Sequence, residues 1–162
     1  MVAISSTSEP GTSFIMPSSR ELVFSRVVNA SRSVVFDAVT NPARLRRWYG
    51  LIPHTMTTCE IDLRPGGAWR HVLRAPDGQE FRFRSEYLEI LPPLRLVYAE
   101  GFEQNPGHEH VLTMTFEQRG DQTLLTVWLR YKSAADRERH LRSGIQAGMR
   151  EMLDRLDAFL TS

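Results

Sequence analysis

From residue 57 to residue 131 apolar side chains recur at every second position, in short runs cut by turn residues; after residue 134 they recur every third or fourth. A period of two turns one face of a strand toward a core, and a period near 3.6 does the same for one stripe of a helix. The chain is therefore read as a series of strands followed by a helix. The strands are Thr57–Leu63, Ala68–Arg74, a run beginning at Phe81, Arg95–Phe102, His110–Gln118 and Thr123–Tyr131. Pro65-Gly66-Gly67, Pro76-Asp77-Gly78, Pro92-Pro93 and Arg119-Gly120-Asp121-Gln122 separate them with residues that favour turns or cannot continue a ladder. Connections this short join antiparallel neighbours, since parallel ones need a long crossover.

An earlier strand, Glu21–Asn29, sets Leu22, Phe24, Arg26 and Val28 on one face. Ser31 or Ser33 then caps a short helix carrying Val34, Val35, Phe36, Ala38 and Val39, and Asn41-Pro42 starts a second that stops at Gly50. The last element is expected to be one continuous helix over residues 134–160, with Leu141, Ile145, Met149, Met152, Leu156 and Phe159 or Leu160 against the sheet. Helices segregated from an antiparallel sheet make a two-layer α+β domain. Residues 1–19, rich in Ser, Thr, Pro and Gly, read as a mobile tail that Phe14, Ile15 and Met16 pin locally, and residues 20–162 as a single domain.

Charge excludes some partners. Twenty Lys and Arg against 19 Asp and Glu give no footprint for nucleic acid or an anionic membrane. No run is long and apolar enough to insert in a membrane, and the N-terminal residues lack the pattern of a secretory signal. Cys59 is the only cysteine and is read as an inert core thiol. These features make a cytoplasmic location the expectation.

Several stretches resemble the SRPBCC superfamily, and within it the group named after the C-terminal domain of the activator of the Hsp90 ATPase. They are Asn41-Pro42 with Leu45, Trp48, Tyr49 and Gly50; EIDLRPGGAWRHVL from Glu60; YLEILPPLRLVY from Tyr87; VLTMTFEQRGDQTLLTV from Val111; and GMREMLDRLDAFL from Gly148. The resemblance implies a helix-grip fold: a curved, seven-stranded antiparallel sheet around a long C-terminal helix, two short helices after the first strand, and a cavity between sheet and helix. Similar sequences carry tryptophan where this one has Met149 and Glu100.

Strand alternation places Trp69, His71, Leu73, Phe81, Phe83, Ser85, Tyr87, Leu96, Tyr98 and Glu100 on the concave face, and the helical stripe brings Ile145, Met149 and Met152 opposite. An aromatic wall with a few polar atoms suits a small apolar or aromatic ligand, the rings supplying affinity and the polar atoms orientation. His71 is the imidazole of that row, and Glu100 beside it would make an acid–base pair. The first expectation is thus a small-molecule binding protein without cofactor. The second is a cyclase- or dehydratase-like enzyme in which His71, Tyr87 or Glu100 moves a proton, and the third a chaperone-activator-like interaction domain. The chain is expected to be a monomer or homodimer. His54, His108 and His110 include two histidines near one strand end, but no third ligand is in view, and no metal site is expected.

Overall fold

A computed structural model describes residues 11–50 and 53–162; residues 1–10 of the predicted tail lie outside it. Eight strands form one antiparallel, curved open sheet: β1 (Ser13–Ile15), β2 (Glu21–Val28), β3 (Thr55–Ile61), β4 (Ala68–Arg74), β5 (Glu80–Leu91), β6 (Arg95–Phe102), β7 (His110–Arg119) and β8 (Gln122–Arg130). Their spatial order is β1-β2-β8-β7-β6-β5-β4-β3. The six strands from β3 to β8 are a plain meander, as their short turns require, and β2 closes beside β8.

The expected count of seven becomes eight because residues 13–15 pair with β2, Phe14 opposite Phe24 with ring centroids 5.0 Å apart. The local pin thus takes the form of a strand.

Two short helices, α1 (Arg32–Thr40) and α2 (Pro42–Trp48), follow β2. Asn41 caps α2 by accepting a hydrogen bond from the Ala43 amide at 3.0 Å, while Pro42 sits in the first turn where its missing N–H costs nothing. Trp48 Nε1 donates to the Ala38 carbonyl at 2.9 Å and locks the two helices together.

The predicted single helix over 134–160 is two: α3 (Ala134–Arg142) and α4 (Ile145–Leu160). The break falls at Ser143-Gly144, where Gly144 adopts φ +95°. That left-handed backbone is strained for residues with a Cβ and open to glycine. Sheet and α4 share one core, to which α4 contributes Met149, Leu153 and Leu156. Arg26, an inward-facing residue by its pairing with Leu125, reaches Asp154 and Asp157 of α4. This explains a charge in an otherwise apolar row. No helix among the described residues is long and apolar enough to cross a membrane.

Candidate functional site

A cavity of about 420 Å3 opens where the ends of β5, β6 and β7 meet the α3–α4 joint. Phe81 and Phe83 of β5 with Phe102 of β6 form its aromatic wall. Glu100, His110, Tyr131 and His140 contribute polar groups, and Ser143, Gly144, Ile145, Gly148 and Met152 close the helical side. The broken helix shapes this mouth, because the turn at Gly144 lets α3 leave the axis of α4 and carry His140 over the strand ends.

Of the residues expected to line a cavity, Phe81, Phe83, Glu100, Ile145 and Met152 lie on this one. Trp69, His71, Leu73, Ser85, Tyr87, Leu96, Tyr98 and Met149 do not; all are buried deeper in the core. The physical reason is that the sheet curves. Trp69, Tyr87 and Tyr98 pack on one another in its closed part, while Phe81, Phe83 and Glu100 stand where β5 and β6 meet the α3–α4 joint.

The two groups are continuous through ring contacts. Phe83 stacks on His71 at 4.7 Å and 9°, His71 stacks on Trp69 at 4.5 Å, and Tyr49 meets both His71 and Trp69 edge-on at 5.2 Å. Tyr98 touches Trp69 and Tyr87 edge-on. Several polar atoms in this row lack a hydrogen-bond partner among the described residues: both His71 nitrogens, Ser85 Oγ and Tyr87 OH. Buried polar atoms are normally paired, so four atoms without a protein partner set this row apart from the rest of the core.

Sheet register sets the polar wall. Ser85 lies opposite Glu100, and Glu100 opposite His110. His110 Nε2 stands 3.6 Å from Glu100 Oε1, close enough for an ionic contact and too far for a hydrogen bond. Tyr131 OH and His140 Nδ1 share a short hydrogen bond, and the His110 ring is 5.2 Å from both the Tyr131 and the His140 rings.

Burial pushes the Glu100 carboxyl up, but the contact with His110 and the nearby imidazoles of His71 and His140 outweigh it and leave the group below its ordinary range. Burial drives the His71 imidazole down to about 4 against the pull of Glu100, and drives His140 down to about 4 with His110 adding to the effect. Glu100 and His71 therefore sense each other's charge, but no hydrogen bond joins them among the described contacts, and the nearest partner of the carboxylate is His110.

At the outer rim Asp136 binds His108 at 2.8 Å and Arg139 at 3.2 Å, tying α3 to the loop before β7. His108 and His110 thus take different carboxylates, and no group of three His, Cys, Asp or Glu among the described residues is arranged to hold a metal ion. A second hollow of about 650 Å3 lies on the opposite face of the sheet over Ala99, Gly101 and Val111. Its walls mix charged side chains, among them Glu109 and Lys132 paired at 2.8 Å, with Phe102, Pro106 and Val111.

Sequence reading missed Tyr131 and His140. Tyr131 ends its expected strand on the inward row of Val127 and Leu129, and that alternation is the signal that points to it. His140 was hidden because a continuous helix gives no reason to bring its face over the strand ends.

The model of the family described as activator of Hsp90 ATPase homolog 1-like proteins matches residues 29–161. A crystal structure of a Rhodobacter sphaeroides protein superposes with a TM-score of 0.88 at 25% identity, covering 93% of this chain and 98% of that one. A protein from Mycobacterium smegmatis gives 0.84 at 24% identity, over 94% and 98% of the two chains. CalU16 from Micromonospora echinospora gives 0.63 at 23%, over 94% and 85%. These last two likenesses speak for the fold alone. A comparison with curated protein sequences gives no match.

Proposed function

The chain belongs to the activator of Hsp90 ATPase homolog 1-like family, and from that premise we propose that it binds a small, largely apolar or aromatic molecule in the cavity beside the α3–α4 joint. One observation carries the reading: a cavity of about 420 Å3 walled by three phenyl rings, with Glu100, His110, His140 and Tyr131 converging on it. The size falls within the roughly 300–1,000 Å3 of ligand sites, and an apolar wall with a few directed polar groups is their usual chemistry. The buried, unpaired atoms of His71, Ser85 and Tyr87 behind Phe83 support it. Our proposal assigns the cavity Phe81, Phe83, Glu100, Ile145 and Met152 as ligand contacts, and places the protein in the cytoplasm.

Native mass spectrometry of the protein purified from its own host is the direct test. The expected result is a discrete added mass that leaves on denaturation. A bare chain that also fails to take up apolar aromatic probes in solution would reject the reading.

A second reading is favoured by the polar wall itself. Tyr131 with His140, and Glu100 with His110, are two acid–base pairs on one cavity, the equipment of a cofactor-independent cyclase or dehydratase. Conversion of a bound substrate that collapses in Glu100→Gln would decide for it. A chaperone-directed role rests on the family's description only.

A further inference from the structure

We propose that the molecule bound in this cavity carries an ammonium group, seated between the Glu100 carboxylate and the faces of the neighbouring phenyl rings. The inference deepens the binding reading above and rests on it.

Glu100 lies on the cavity wall with a side chain only 15% exposed. No N–H or O–H among the described residues donates a hydrogen bond to it. Its nearest ionic contact among the described residues, His110, stands 3.6 Å off. A withdrawn carboxylate needs a counter-charge or donors, and the nearest group among the described residues, His110, stands beyond hydrogen-bond distance. Protonation is not favoured either: burial pushes the carboxyl up, but the contact with His110, first among the opposing causes, leaves it below its ordinary range.

The surroundings fit a cation. Phe83 lies directly across the ladder from Phe102, with ring centroids 5.4 Å apart, and Phe81 is 6.2 Å from Phe102. Clustered ring faces attract ammonium groups through their quadrupoles. The remaining charges on the wall cancel or vanish: Asp136 is matched by Arg139, and His140 stays neutral above about pH 4. Glu100 is left as the wall charge without a hydrogen-bond donor at normal distance among the described residues. An anionic ligand would be repelled, and a neutral one without donors would bury the carboxylate unpaired.

The test uses the full chain and four probes sharing one apolar body: 4-phenylbutylamine, 4-phenylbutyltrimethylammonium, 4-phenylbutan-1-ol and 4-phenylbutyrate. Titrations followed by amide chemical shifts of β5, β6 and α4 give each dissociation constant. The expected result is that both cations bind about tenfold or more tightly than the alcohol, the size of a desolvated cation–ring contact plus a charged partner. The carboxylate should bind weakest. In Glu100→Gln the ratio between amine and alcohol should collapse toward one.

An alcohol or carboxylate that binds as tightly as the amine, or a preference that survives Glu100→Gln, overturns the ammonium inference and leaves small-molecule binding standing. Failure of all four probes to bind overturns both. Should Glu100→Gln fail to fold, the ranking of the four probes on the wild-type chain decides by itself.

Discussion

His71 is held between two rings and is 1% exposed, so its charge state is a matter for the whole fold. Its folded pKa, near 4, lies below the ordinary 6.5, because burial penalises the imidazolium more than Glu100 rewards it. Between those values the unfolded chain binds a proton that the folded chain refuses. The stability tied to His71 is thus complete above about pH 6.5 and drains as the pH falls toward 4, by about 3 kcal/mol at roughly 1.4 kcal/mol per unit. His140 adds to the loss in the same direction. Urea unfolding at a series of pH values should show this slope in the wild type and a shallower one in His71→Leu. Equal slopes would mean that the imidazole keeps its proton inside the fold.

The joint between α3 and α4 is the element on which the cavity depends. An added Cβ at Gly144 would meet nothing within 4 Å, so only the backbone resists a side chain there. Gly144→Ala should cost about 1–2 kcal/mol from the left-handed conformation, measured by chemical denaturation; no loss would show that the joint straightens readily.

Met149 and Met152, three positions apart on α4, separate packing from binding. Met149 is buried in the core and Met152 faces the cavity. Met149→Trp should overpack the core and cost about 1–3 kcal/mol, with probe affinity reduced little. Met152→Trp should keep most of the stability and displace the phenylbutyl probes. The reverse pattern, seen by thermal unfolding and the same titrations, would move the cavity to the other side of the helix.

The joint also shows where sequence reading reaches its limit. Leu141 and Ile145 keep the four-residue spacing straight across it, so periodicity argues for continuity, and Gly144 is the one residue arguing against. The meander was legible because each strand had both a two-residue period and a turn at each end, and β6 falls at Arg95–Phe102 as expected. Which inward residues pack and which surround space was not legible, since alternation gives a face and says nothing of the sheet's curvature along it.

At the scale of the molecule, the sheet is open and its edges need protection. On one side β2 is covered by the three residues of β1, which occupy hydrogen-bonding groups that would otherwise accept a strand from another chain. Deleting residues 1–16 should leave β2 paired on one side only and make self-association rise with concentration. Light scattering and gel filtration would report it, and a deleted chain that stays as monodisperse as the parent would show the edge to be harmless.

The Arg26 tie carries a consequence for how the molecule is made. Arg26 and its partner Asp154 stand 128 residues apart in sequence, and the strand that holds Arg26 pairs with β8, made almost as late. On a ribosome, β2 emerges with neither its neighbour in the sheet nor the carboxylates that receive its guanidinium. Contacts this distant make closure slow, and the waiting chain exposes apolar surface meanwhile. The earliest long strand therefore waits on the latest-made elements before both its pairing with β8 and its ion pairs with α4 can form.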